Sequence, residues 1–292
     1  MGQIYRATDL STGKAVAAKI LLDASLQHRA RFQRETEILE RIHHPHVVEY
    51  VASGTGLDGD PFDSGVWPDL VAAYLPPGAK PVHDSRIAVE VPAFAEDPMN
   101  VPVTVSTDLP GVQRIVVLVD RNPIRKVLEM TPLAAQPAVS FRFKLEQASP
   151  VRALALTADG VWHAGGALVD STGGGCTVPG GSRADGSWTQ TLGQVSGRLF
   201  ASSVPGATTE AARLRLRIMH PMDTGLVGGI PAFYLSRLSV RDAADRELLR
   251  IQTFEPVSEN PVLSFDFAKP PPGPLRIVGV DNNGNRIDTR IE

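Results

Sequence analysis

ARLRLRIMH, residues 212–220, decides the fold class. Side chains on a strand point to opposite faces in turn, so Leu214 and Leu216 lie on one side and Arg213, Arg215 and Arg217 on the other. That is the pattern of a half-buried strand. Working outward, VPVTVST (101–107), RIVVLVD (114–120), AVSFRFKLE (138–146), VRALALTADGVWHA (151–164), FYLSRLSVRD (233–242), PVLSFDF (261–267) and LRIVGVDNNGNRIDTRI (275–291) alternate or run apolar between Gly, Pro and Asp breaks. Asp159-Gly160 and Asn283-Gly284 read as hairpin turns. With 26 Gly and 24 Pro in 292 residues, turns and short strands are favoured over long helices. The expectation is a mainly β chain built as two β-sandwiches.

Charge and sulfur narrow the function. Lys and Arg total 29 against 32 Asp and Glu, a net charge of −3 with no basic block, so neither nucleic acid nor an anionic membrane surface is an expected partner. The one cysteine, Cys176, excludes an internal disulfide framework and any multi-cysteine zinc or iron–sulfur site. No apolar run is long enough for a membrane span. The start, MGQIYRATDLSTGK, has no apolar signal core. His220, between Met219 and Pro221 with Met222 nearby, offers soft copper-ligand atom types. Asp281-Asn-Asn-Gly284 lacks the spacing of a calcium loop. No metal site and no cofactor are expected.

The first sixty residues read differently. Gln3–Ala7 and Lys14–Leu21 look like strands joined by the turn-rich residues 9–13. From about Ser25 to Ile42 the period becomes helical, with Phe32, Glu35, Leu39 and Ile42 on one stripe. Glu35 then points inward and needs a cation, for which Lys19 is the nearest lysine on a preceding strand. His43, His44 and His46 sit close together without an acidic or thiol partner, which gives little geometry for a metal.

Residues 171–186 are dense in Gly, Ser and Thr and nearly free of apolar bulk, and Cys176 lies among them. Within four residues of the cysteine the apolar neighbour is Val178, so local sequence offers no pocket for the sulfur. Gly173, Gly174, Gly175, Gly180 and Gly181 predict a mobile tether that carries an exposed thiol. Such a thiolate could accept a sulfur species, hold it covalently and present it to another enzyme. Trp188, Leu192, Val195, Leu199 and Phe200 suggest that the later part of this stretch packs as a strand.

Two resemblances follow from these motifs. GQIYRA, VAAK, FQRETEILERI and HHPHVVEY resemble the small lobe of bacterial serine/threonine protein kinases up to about Phe62. That resemblance implies that Gly2 matches the last glycine of the phosphate-covering loop, Lys19 the phosphate-holding lysine and Glu35 its helix partner. No His-Arg-Asp loop and no Asp-Phe-Gly follow, so phosphoryl transfer is not expected, and a vestigial Lys19–Glu35 ion pair is the plainer reading. From about residue 64 to 292 the chain resembles fused SoxYZ-like sulfur carriers of the type associated with quinoprotein dehydrogenases. WPDL, FAEDPMNVPVTV, IVVLVDRNPIRKV and the GGGC segment resemble SoxY; MHPMDTG, IPAFYLSRLSV, SENPVLSFDF and VDNNGNR resemble SoxZ. Here Thr177-Val178-Pro179 follows the cysteine and the chain continues, whereas the family carrier ends in Gly-Gly-Cys-Gly-Gly.

The resemblance implies two immunoglobulin-like sandwiches packed on each other, preceded by a short α+β kinase-like fragment. The layout is 1–62 kinase-lobe-like, 63–170 SoxY-like, 171–204 cysteine tether and linker, and 205–292 SoxZ-like. It also implies a non-enzymatic carrier of sulfur intermediates such as those derived from thiosulfate, with sulfur-oxidation enzymes or a quinoprotein dehydrogenase system as partners. The family works in the periplasm, whereas the start of the chain as given would place it in the cytoplasm if genuine. Two other functions compete: a nucleotide-binding, pseudokinase-like regulator using Gly2, Lys19 and Glu35, and a structural adaptor of a quinoprotein dehydrogenase in which the thiol is dispensable.

Overall fold

The structure is a computed structural model that describes residues 2–8, 15–21, 34–35, 60–201 and 211–291. It divides into two compact units, Met1–Trp67 and Pro68–Glu292. In the first, β1 (Gly2–Thr8) and β2 (Ala15–Leu21) form an antiparallel pair, as expected, with Ile4 opposite Lys19. Arg34 and Glu35 are helical, and Glu35 is half-buried. The side chain of Lys19, the residue 9–13 connection, most of the 25–42 stretch and His43, His44 and His46 lie outside the described residues.

The second unit opens with α1 (Trp67–Tyr74), whose first residue falls at the division. Two sheets then carry nearly all of its chain. β3 (Val82–His83), β5 (Phe94–Ala95), β7 (Val112–Val119), β8 (Lys126–Thr131), β10 (Ser149–Thr157) and β11 (Trp162–Ser171) belong to one sheet. β4 (Ile87–Glu90), β6 (Val101–Thr107) and β9 (Ala138–Phe143) belong to the other. The Cys176 segment and two short helices, α2 (Gly181–Asp185) and α3 (Trp188–Thr191), follow. The later strands are β12 (Val195–Ala201), β13 (Ala212–Ile218), β14 (Leu235–Arg241), β15 (Glu247–Thr253), β16 (Val262–Phe267), β17 (Leu275–Asp281) and β18 (Arg286–Ile291).

Each sheet runs through both halves. The larger has the order β18-β17-β14-β15-β8-β7-β10-β11-β3, with β5 also on β11; the smaller is β12-β13-β16-β9-β6-β4. The halves therefore meet edge to edge at two places: β15 pairs with β8, Ile251 opposite Met130, and β16 pairs with β9, Phe265 opposite Val139. This pairing covers four strand edges that separate sandwiches would leave open. Between the sheets lies one continuous apolar core drawn from both halves, including Val103, Val117, Leu128, Phe141, Leu214, Leu238, Ile251, Phe265 and Ile277. β13 shows why: its buried residues alternate strictly with exposed ones, as its Leu and Arg residues require. The hairpin turns at Asp159-Gly160 and Asn283-Gly284 are present, capped by the Asp159 and Asp281 carboxylates. Among the described residues no helix is long and apolar enough to cross a membrane.

Candidate functional site

Three chain segments leave the strand ends together and build a seat for Cys176. Lys144–Glu146 follows β9, Met222–Thr224 follows β13, and Pro98 precedes β6. Leu145 N donates to Pro98 O at 2.7 Å, and Asn122 fastens the turn by donating to Lys144 O and accepting from Glu146 N, each at 2.8 Å. The glycine segment lies on this frame like an added strand: Gly174 N donates to Glu146 O and Gly175 N to Leu145 O, both at 3.0 Å. Cys176 N donates to Glu146 Oε2 at 2.9 Å, and Thr224 Oγ1 donates to Cys176 O at 2.6 Å. The thiol faces Lys144 O at 3.5 Å.

The exposed, mobile thiol expected from the local sequence is thus corrected: Cys176 is 1% exposed. Its neighbours in sequence could not reveal this, because the wall is supplied from residues 98, 144–146 and 222–224. The glycines serve a different purpose from simple mobility. Gly173 and Gly174 take φ of 86° and 87°, a backbone region that other residues rarely adopt. A Cβ on Gly175 would run into the carbonyl oxygens of Pro98 and Leu145. Gly180 and Gly181 pack against the Glu259 carboxylate, which accepts from Ser182 N at 2.7 Å.

The seat is polar. Cys176 is buried without belonging to the apolar core, and Thr177, Val178 and Pro179 immediately after it are exposed. Burial, with the Glu146 carboxylate adding to it and Lys144 opposing, pushes the thiol pKa up to about 12. Docked, the sulfur is a protonated, weak nucleophile. Lys144 is itself buried, its ammonium donating to Met222 O, and desolvation lowers its pKa against the pull of Asp223, Cys176 and Glu259.

Beyond the cysteine, α2 is held to the second half by Arg183. Its Nε donates to the buried Asp223 at 2.8 Å, and its guanidinium stacks over Trp188 at 4.2 Å. Trp188 meets Phe233 edge-on, and Phe233 lies against His220. His220 is buried; Nδ1 accepts from Met222 N at 3.1 Å, and desolvation lowers its pKa to about 4. Met222 sulfur accepts from Leu235 N. Among the described residues no group of three or more His, Cys, Asp or Glu could hold a metal. Lys144 and Glu146 escaped the sequence reading, since neither stands in a recognisable motif, and Thr224, although it lies within MHPMDTG, carries no local signal that ties it to the cysteine.

A single buried thiol on a glycine-rich segment is thus seated where two sandwich halves join. Residues 73–176 match the family model "Sulfur oxidation protein SoxY", ending on Cys176, and residues 204–292 match "Sulphur oxidation protein SoxZ". The chain is a SoxY and a SoxZ domain fused, a mainly β, non-catalytic sulfur carrier of sulfur oxidation. Similar solved structures include the sulfur carrier protein SoxY from Chlorobium limicola f thiosulfatophilum, 22% identical with a TM-score of 0.32, covering 35% of this chain and 88% of that one. Another is superoxide reductase (neelaredoxin) from Ignicoccus hospitalis, 15% identical with a TM-score of 0.26, covering 30% and 82%. A search of curated proteins finds no match.

Proposed function

We propose that Cys176 is the carrier thiol and that the structure holds it in a resting, protected state. The observation that carries this reading is the manner of burial. The sulfur is enclosed by a segment pinned through a few hydrogen bonds, and Thr177, Val178 and Pro179 directly after it are exposed. Lifting residues 172–181 frees the sulfur and leaves the apolar core between the sheets intact. Once lifted, the thiol returns toward its ordinary pKa and gains nucleophilicity. Loading with thiosulfate joins the Cys176 sulfur to the outer sulfur of the anion. The thiol loses one proton and two electrons pass to an acceptor on a partner oxidoreductase, leaving a cysteine-bound –S–SO3⁻ group. The chain supplies the handle, and its partners supply the electron acceptor and the later hydrolysis.

The partner reading is sulfur-oxidation enzymes or a quinoprotein dehydrogenase, whose cofactor is a two-electron acceptor, and the compartment reading is the periplasm. Both rest on the sequence resemblance. Residues 1–62 are read as kinase-lobe-like, with Gly2, Lys19 and Glu35 vestigial. Burial of the thiol also favours one rival, a structural adaptor in which the cysteine is dispensable. Cys176→Ser separates the two: a carrier loses all adduct by intact mass and all transfer, whereas unchanged transfer removes the carrier reading.

A further inference from the structure

The outer face of the smaller sheet carries five arginines. On β13, Arg213, Arg215 and Arg217 are exposed; Arg198 of β12 lies directly opposite Arg215, and Arg142 of β9 shares the face. The inner residues of these strands already fill the core, so the arginines contribute nothing to it. Arg213 pairs with Asp266 across β16 at 2.7 Å. Among the described residues Arg142, Arg198, Arg215 and Arg217 have no carboxylate within ion-pair distance. Like charges directly opposite on neighbouring strands destabilise a sheet. Retaining them in a chain of net charge −3 calls for a use outside the fold.

We propose that this face docks the acidic surface of a partner protein. Phe200, 41% exposed on β12, lies under the Arg198 guanidinium at 5.3 Å from its ring centre. An aromatic ring with arginine around it is the composition of protein-interface centres. Asp266 and Glu90 stand on the same face and the whole chain is acidic, which disfavours a polyphosphate or an anionic lipid surface. The place is also informative. Arg142 lies two residues before Lys144, Arg217 lies five before Met222, and β16 starts three residues after Glu259. The strand ends that carry the cationic face run directly into the cysteine seat. A partner bound there stands beside the segment that must lift, and this last role rests on the carrier reading above.

The test uses the full chain and a defined probe, a peptide of alternating Glu and Tyr, titrated at low salt while amide NMR shifts are followed. The expected map is Arg142, Ser196–Phe200 and Arg213–Arg217. The variant Arg198→Glu/Arg215→Glu/Arg217→Glu is expected to bind at least about tenfold more weakly, with unchanged near-ultraviolet circular dichroism. Shifts centred elsewhere, undiminished binding by the variant, or tighter binding of a short DNA duplex or phosphatidylglycerol vesicles would overturn the proposal. With an enzyme that loads Cys176, the variant should load about tenfold more slowly and lose the salt dependence seen with wild type, while free iodoacetamide modifies both thiols equally. If Cys176→Ser still supports transfer but the peptide map stands, the carrier reading fails and the docking face survives.

Discussion

A methyl group at position 175 has nowhere to go, because the Pro98 and Leu145 carbonyl oxygens already crowd the glycine. Gly175→Ala should therefore weaken seating without touching the apolar core. At neutral pH its Cys176 should react with iodoacetamide at least about tenfold faster than wild type, equivalent to ~1.4 kcal/mol of lost seating; an unchanged rate would show that access does not depend on this contact. The thiol itself makes seating depend on pH. Its seated pKa is raised from 9.0 to about 12, chiefly by burial, so the protonated form favours the seated state. That contribution is complete below pH 9.0 and is lost as pH rises from there through about 12. The wild-type alkylation rate should keep climbing above pH 9.0, whereas Gly175→Ala should level off near 9, as a free thiol does. Stopped-flow or quenched mass measurements across that range check both outcomes.

Among the elements, α2 is too short to hold itself in place and depends on Arg183. Arg183→Ala would leave the Asp223 carboxylate buried without its guanidinium and strip the cation from Trp188. The expected cost is about 2 kcal/mol of local stability, read as roughly thirtyfold faster hydrogen exchange in α2 with β14 and β17 unaffected. Equal acceleration in those strands would mean that Arg183 supports the whole half. The elements differ in how far their sequence announces them. β13 and β16 are plain from alternation, since one face meets the core and the other meets water. β8 (KVLEMT) and β15 (ELLRIQT) are obscured because adjacent apolar pairs, Val127-Leu128 and Leu248-Leu249, interrupt the period. Those two strands make one of the joints between the halves, so the joint was illegible together with them. Cys176 failed for a related reason: its glycine neighbourhood reads as solvent-facing, and the residues that bury it come from loops about thirty to eighty positions away.

At the scale of the whole molecule, two joints and one shared core tie the SoxY and SoxZ halves into a single mechanical object. Ile251 sits at the larger joint, fully buried, with Leu238 on one side and Met130 of the other half opposite it. Truncating such a side chain removes its transfer energy and leaves a cavity that the surrounding sheets fill only in part, a loss of about 3 kcal/mol. If each half were self-sufficient, Ile251→Ala would lower one melting transition and spare the other. Continuous sheets dictate something else, because neither half can unfold without exposing the paired edge and core face of its neighbour. The expected calorimetric trace for residues 63–292 is one heat-absorption peak in wild type, moved as a whole to lower temperature in Ile251→Ala, with fluorescence of Trp162 in the first half and of Trp188, which packs on Phe233 of the second, falling together. Two peaks, or two tryptophan signals that separate, would contradict the shared core as the source of stability. If, as proposed, residues 172–181 lift without disturbing the core, the same substitution should lower the melting temperature yet leave the iodoacetamide rate of Cys176 near its wild-type value.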